Sequence, residues 1–196
     1  MKKQTNRIAY RLCISLGVVL LVVAAVALIS WQWGIRTSQE KAAGYVQTIL
    51  ARIPAPQSAV PEERGNNTLP VLSVDGVDFV GVLEMPRYSS KLPVAANWGK
   101  VSEYPCLFDG SVYDRTLQIG ATTQKGQYNF YRDISVGDAI SFTDMEGNRF
   151  CYTVADIRYE KHADQAALLQ KDAALTLFIK NVYDLEYIVI FCDVLH

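Results

Sequence analysis

An uninterrupted apolar run near the amino terminus constrains this chain more than any other feature of its sequence. No charged residue occurs from Leu12 to Ile35, and these 24 residues are mostly Leu, Val, Ala and Ile. As an α-helix rising about 1.5 Å per residue, the run would extend about 36 Å, which exceeds a hydrocarbon core of about 30 Å. Trp31 and Trp33 lie at its far end, where indole rings favour the headgroup layer. We therefore predict a transmembrane helix over residues 12–35, with the lipid bilayer as its partner.

The charges on either side of this run predict its orientation. Four cations precede residue 12, and no acidic residue occurs before Glu40. Because positively charged flanks stay cytoplasmic, we expect residues 1–11 to form the cytoplasmic tail of a single-pass cell-membrane protein whose carboxyl-terminal region is extracellular. Cleavage as a signal peptide is an alternative, since Ala25-Val26-Ala27 has the small-x-small form of a cleavage site. That cut would fall inside the apolar run, which favours an uncleaved anchor.

The remaining charges and the potential metal ligands exclude two classes of function. The formal net charge is −1, and because four of the 19 Lys and Arg belong to the tail, the rest of the chain is acidic. An acidic surface provides no field for gripping nucleic acid. Two histidines are too few for a His-based metal site, and the cysteines lack a C-x-x-C spacing. We therefore expect no nucleic-acid partner, no metal and no cofactor.

Residues 36–70 are expected to connect the membrane helix to a folded domain. After Arg36 the sequence predicts a helix capped by Thr37 or Ser38, with its apolar residues near one face. From Pro54 to Pro70 there are four prolines and few large apolar residues. Such a stretch buries too little surface to order itself, so it is interpreted as a linker that holds the domain away from the bilayer.

Residues 71–196 have the pattern of a mainly β domain. Short runs of β-branched and aromatic residues alternate with turn signals, as in a barrel or sandwich. The residues from Asp144 to Asn148 have turn chemistry and predict a hairpin. A short helix is expected over Ala163–Lys171. The predicted strands are Val77–Leu83, Thr116–Gly120, Ala139–Thr143, Arg149–Ile157, Leu175–Ile179 and Tyr187–Val194.

Six short segments of this domain, taken in order, carry a resemblance to a known family. They are Gly81–Pro86, Leu92–Val94, Leu117–Thr122, Arg132–Asp138, Phe142–Asn148 and Leu175–Phe178. In this order they resemble the sortases, the membrane-anchored cysteine transpeptidases of Gram-positive bacteria, and most of all the clostridial branch. A Pro-Cys pair such as Pro105-Cys106 recurs in that branch. The resemblance covers residues 77–196 and implies a mainly β, eight-stranded sortase-like barrel with one or two short helices and a substrate groove.

The resemblance also implies a catalytic His, Cys and Arg, and none of the three occurs at its matching position. Thr122 stands where the family's His closes an Ile-Ala-Gly-His segment, and Lys180 stands where its Cys closes Thr-Leu-x-Thr-Cys. Tyr187 stands at the position of the Arg, or Glu186 if one residue is skipped. A thiolate nucleophile, an acid/base and a cation that stabilises developing charge are all needed for transpeptidation. Their replacement predicts a catalytically degenerate protein that is not an enzyme.

Three functions stay open at this point. The first is a binding or scaffold module at the cell wall, recognising a sorting-signal peptide or another wall protein, and this is the function we predict. The second is a divergent transpeptidase or hydrolase with atypical residues, such as a desolvated Lys180 or a Cys106–His162 pair. The third is a structural wall spacer. The side chains that would line a binding groove, or else be ordinary barrel residues, are Tyr104, Tyr113, Gln124 and Tyr128.

Overall fold

The computed structural model describes residues 2–59, 67–123, 127–161, 173–181 and 186–195, with side chains from residue 14 onward except that of Asn129. The chain divides into two compact units, Met1–Thr37 and Ser38–His196. The predicted helix Ala163–Lys171 lies outside the described residues.

Helix α1, Lys2–Arg52, forms the whole described part of the first unit. Its stretch from Ile14 contains an 18-residue window of mean hydropathy 2.7, none of which is buried. Trp31 and Trp33 are exposed as well. A helix this long and apolar is able to cross a membrane, so the chain carries a candidate transmembrane helix near its amino terminus.

The sequence predicted that a second helix would begin after Arg36, and the structure shows that none begins there. Helix α1 continues through Thr37 and Ser38 without interruption. The Thr37 hydroxyl donates to the carbonyl oxygen of Trp33, 2.9 Å away and one turn earlier. Because this bond satisfies the hydroxyl inside the helix, Thr37 is not available as a cap.

The second unit contains a closed barrel of eight strands among its described residues, which confirms the predicted fold class. Around the ring, in order, are β3, β4, β5, β6, β9, β10, β8 and β7, and β7 pairs with β3 to close it. Two short strands lie outside the ring, with β1 beside β8 and β2 beside β3. The strands are β1 Gln57–Ser58, β2 Leu72–Val74, β3 Val77–Met85, β4 Ser90–Ala95, β5 Cys106–Asp109, β6 Leu117–Thr122, β7 Ala139–Asp144, β8 Asn148–Lys161, β9 Leu175–Lys180 and β10 Glu186–Val194.

Side-chain alternation fixes which residues fill the barrel and which lie outside it. Leu117, Ile119 and Ala121 of β6 point into the core, and alternate residues of β9 and β10 also point into it. The residues between them therefore lie on the outer face. Each of the six predicted strands overlaps an observed one. The strands that the sequence did not predict, β1, β2, β4 and β5, have at most six residues, and β4 contains Pro93.

The segment predicted to be a separate stalk and linker is in part packed on the barrel. Val46 and Ile49 of α1 are buried in a cluster with Phe79 of β3 and Tyr104. Within the predicted linker, Gln57 and Ser58 form β1 against β8, and Leu69 is buried. The reason is that α1 presents an apolar stripe, which gains more by covering the barrel than by exposure to water.

Candidate functional site

The three positions matched to the family's catalytic residues lie in one row on the barrel. Thr122 of β6 pairs with Lys180 of β9, which in turn pairs with Tyr187 of β10. Neighbouring strands are about 4.8 Å apart, so the row spans about 10 Å. The adjacent residues Ala121, Ile179 and Ile188 belong to the core. Thr122, Lys180 and Tyr187 therefore belong to the outer face of the sheet, at one end of three strands.

Lys180 is the central residue of this row, and its side chain is exposed. Its Nζ atom lies 5.9 Å from the centroid of the Tyr187 ring, within the range of a cation–π contact. A lysine nucleophile needs a desolvated site, because water stabilises the protonated ammonium form. Lys180 lacks that environment.

Among the residues that the structure describes, the hydroxyl of Thr122 has no partner that would act as a base. Its Oγ1 atom is buried and makes no hydrogen bond. The neighbouring backbone groups are hydrogen-bonded to each other: Thr123 N donates to Lys180 O at 3.1 Å, and Asn181 N donates to Glu186 O at 2.8 Å. The end of the sheet is therefore closed by main-chain bonds rather than by a catalytic hydrogen-bond chain.

Aromatic side chains of this protein cover the outer face of the sheet next to the row. Trp98, Phe108 and Phe178 pack together with ring centroids 5.1–5.7 Å apart. They pack over Gly120, where a Cβ atom would lie 2.5 Å from the rings of both Phe178 and Trp98. Phe178, only two residues before Lys180, is 3% exposed. Space that a ligand would need beside the row is thus occupied by the chain itself.

The alternative nucleophile Cys106 is buried in a strand. It begins β5 and is 0% exposed. Burial raises the pKa of its thiol to about 12, so the reactive thiolate is disfavoured. Its suggested partner His162 lies outside the described residues. In the part of the chain that the structure describes, no three His, Cys, Asp or Glu side chains form a group that could hold a metal ion.

The side chains suggested as a binding groove are mostly interior. Tyr113 is buried and donates from its hydroxyl to Asp144 Oδ2 at 2.6 Å, which makes it a core residue. Tyr128 is 1% exposed and also belongs to the core. Tyr104 is 6% exposed and packs edge-on against Tyr45 of α1. Gln124 lies outside the described residues.

A pocket that sequence reasoning did not identify lies between α1 and the barrel. Its volume is about 430 Å³. Tyr104 contributes to its wall, together with residues from three other parts of the chain that come together only when α1 packs on the barrel. Its lining also includes Ser38, Gln39, Ala42, Ala43, Tyr88, Lys91, Leu92, Glu103, Pro105, Gln127, Phe130 and Asp133.

An ion pair positions one wall of this pocket. The Asp138 carboxylate accepts from Arg87 Nη1 and from the Tyr88 hydroxyl, both at 2.6 Å, and from Ser135 N at 2.9 Å. Burial by itself raises the pKa of Asp138, but the hydrogen bonds from Tyr88, Arg87 and Ser135 outweigh it and hold the pKa below its usual value. Tyr88, fixed in this way, stacks on Phe130 with ring centroids 5.6 Å apart.

Comparison with known proteins finds similarity in fold but not in sequence. No protein-family model and no curated protein matches the chain. Sortase C1 of GBS pilus island 1 is 15% identical, with a TM-score of 0.53 and 83% of each chain covered. Sortase A from Corynebacterium diphtheriae is 13% identical, with a TM-score of 0.51, covering 83% of this chain and 84% of that one. Sortase C from Clostridium perfringens, solved with the C-terminal cell wall sorting motif, is 18% identical, with a TM-score of 0.51, covering 67% of this chain and 78% of that one.

Proposed function

We propose that this chain, which has the sortase fold expected from its sequence, is a membrane-anchored extracellular protein without transpeptidase activity. It acts as a binding or scaffold module at the cell wall. Its candidate transmembrane helix would hold the barrel at the outer surface of the membrane, and the basic tail would stay in the cytoplasm. Residues 71–196 would carry the function.

The single observation that carries this proposal is the row of Thr122, Lys180 and Tyr187. Its three outward side chains offer a hydroxyl without a base, a solvated ammonium and a phenol ring. Acyl transfer to and from a peptide needs an activated nucleophile and a group that moves a proton. An exposed ammonium over an aromatic ring supplies neither.

The cover of aromatic side chains supports the same conclusion. Trp98 and Phe178 occupy the face beside the row, and Gly120 gives them the room to approach the strand. The Clostridium perfringens sortase C was solved with a sorting motif. We infer that this chain interacts with peptides or proteins of the same compartment, at a surface other than that covered face.

The test is a paired assay of turnover and binding with the full chain in lipid nanodiscs. The chain is incubated with a library of sorting-motif peptides and an amine acceptor, and products are followed by mass spectrometry. We expect no cleaved or ligated peptide above the reaction without protein, and an active sortase serves as the positive control. Product formation that disappears in Lys180→Ala would establish the divergent enzyme instead.

The binding half of the assay distinguishes a binding module from a structural wall spacer. The same nanodiscs are immobilised, and retained library peptides are identified. We expect a subset of peptides to be retained by both the wild-type chain and Lys180→Ala, because Lys180 is not needed for binding at another surface. Absence of both turnover and retention would support the wall-spacer function.

A further inference from the structure

The pocket between α1 and the barrel contains an amide group without any hydrogen-bond partner. Gln127 lines the pocket and is 6% exposed. Within the described part of the chain, neither its Oε1 nor its Nε2 atom makes a hydrogen bond, although both are buried. Leaving a buried donor and acceptor unpaired is costly, and in native proteins such groups are usually satisfied by protein, water or a ligand.

Nothing in the described residues holds this amide in place, so a ligand in the pocket would be able to draw it toward itself. The glutamine side chain has three rotatable bonds, and a turn about the last of them breaks no existing hydrogen bond. The group offers donors and an acceptor side by side. Its natural complement is one extended peptide residue, whose C=O accepts from the Nε2 and whose N–H donates to the Oε1 on the same side of the chain.

The walls of the pocket favour an apolar side chain next to that amide. Tyr104 and Phe130 are 6% and 5% exposed, and Leu92 and Ala42 are half-buried beside them. Because so little of either ring is exposed, neither offers the broad face on which a sugar ring stacks, and this wall suits an aliphatic side chain better. A volume of about 430 Å³ lies within the range of sites that enclose small ligands.

The charges at the rim disfavour an anionic ligand. Glu103 and Asp133 line the pocket, and the Glu103 side chain is 43% exposed. Lys91 also lines it, but its Nζ is paired with Glu84 Oε1 at 2.8 Å. Glu103 Oε1 is itself paired with Lys100 Nζ at 3.6 Å, so among the described lining residues no unpaired cation is left to attract a free carboxylate, and a neutral group is favoured.

We propose that this pocket binds a short internal peptide segment, held by the backbone N–H and C=O of one residue at Gln127 and by one aliphatic side chain against Tyr104 and Phe130. The inference rests on the binding module proposed above and gives it a site, which lies apart from Thr122, Lys180 and Tyr187 because none of them lines the pocket. It would hold equally for an active barrel. Failure of peptide binding here leaves the question of transpeptidation unaffected, and the reverse is also true. Library peptides that are retained without moving the Gln127 signals would show that the site is wrong and the binding function is not.

The test uses the full chain in lipid nanodiscs, labelled with ¹⁵N-glutamine and titrated with N-acetyl-leucine N-methylamide. We expect the side-chain NH₂ signals of Gln127, assigned by their loss in Gln127→Leu, to shift and saturate. The side-chain signals of Gln118 should stay unchanged, because Gln118 has a buried, unpartnered Oε1 but does not line the pocket. Gln127→Leu should weaken binding about tenfold, while Gln118→Leu should bind like the wild type.

Two further probes test the chemistry of the site. N-acetyl-leucine methyl ester replaces the accepting amide carbonyl by an ester carbonyl, a weaker hydrogen-bond acceptor, so it should bind about fivefold more weakly than the N-methylamide. N-acetylglucosamine should not shift the Gln127 signals. The proposal is overturned if those signals do not move at saturating peptide, if Gln127→Leu or the ester binds as well as its parent, or if only the sugar binds.

Discussion

Lys180 lies directly between Thr122 and Tyr187 in the register of three adjacent strands, and its ammonium lies 5.9 Å from the centre of the Tyr187 ring. Residues that stand far apart in the sequence therefore form one short row. The row consists of the three positions that the resemblance matched to the His, Cys and Arg of the sortases, and its side chains have different chemistry. From this arrangement we predict the effects of single substitutions in the row and beside it.

Introducing a thiol at the centre of the row should not create an enzyme. We expect Lys180→Cys to react with a maleimide, because position 180 is exposed, yet to leave sorting-motif peptides uncleaved. A nucleophile alone lacks the acid/base and the charge stabilisation that the reaction needs. Mass spectrometry of the labelled protein and of the peptides checks both parts. Turnover by this single variant would mean that another residue of the chain supplies acid/base function.

Gly120 is required by the aromatic cover beside the row. We expect Gly120→Ala to destabilise the barrel by about 1–3 kcal/mol, since its Cβ would lie 2.5 Å from the rings of Trp98 and Phe178. Gly44→Ala is the matched control, because a Cβ there meets nothing within 4 Å and lies in helix α1, where Ala is favoured by about 1 kcal/mol. Urea unfolding of the two variants measures the difference. Equal stability of both would contradict the packing.

Removing two different buried tyrosine hydroxyls should have different effects on the stability of the barrel. Tyr113→Phe removes the donor at 2.6 Å from Asp144, a carboxylate that is 0% exposed, and should cost about 2 kcal/mol. Tyr152→Phe removes a buried hydroxyl that has no partner, so it should be neutral or stabilising. Unfolding free energies of the pair provide the comparison. A loss of stability in Tyr152→Phe as large as that in Tyr113→Phe would refute this account.

The ion pair around Asp138 predicts that the free energy of unfolding falls when the pH is lowered. Because the pKa of Asp138 is lower in the folded chain than its ordinary value of 3.8, its contribution to stability is fully present above that value. The contribution is lost as the pH falls through the lowered pKa of the folded state. We expect Asp138→Asn to be less stable than the wild type at pH 6 and to lose less stability on acidification, as measured by urea unfolding at pH 6 and pH 3. Parallel losses in the two proteins would show that another group controls the acid response.

The proposed orientation can be measured on intact cells. We expect a membrane-impermeant maleimide to label Lys100→Cys, whose native side chain is 43% exposed in the second unit, without permeabilisation. Lys3→Cys, in the basic tail, should be labelled only after the membrane is opened, because positively charged flanks stay cytoplasmic. The reverse pattern would place the barrel inside the cell.

Much of the architecture was predictable because local patterns dominate it. The alternation in Leu175–Ile179 and in Tyr187–Val194 predicted β9 and β10 to within one residue of their observed ends. The turn between β7 and β8 was equally clear, since Asp144 accepts from the backbone N–H groups of Glu146 and Asn148. In contrast, β5 was missed because its four residues carry no distinct period.

The sequence by itself determined the apolar helix and the β character of the domain, because each depends on residue type and local period. Only the tertiary structure decided that Tyr113 and Tyr128 lie in the core, that Cys106 is buried and that α1 covers the barrel. It also decided that Gln127 lies unpaired beside Tyr104 in a pocket. These facts depend on which distant segments meet when the sheet closes, and no local pattern encodes that.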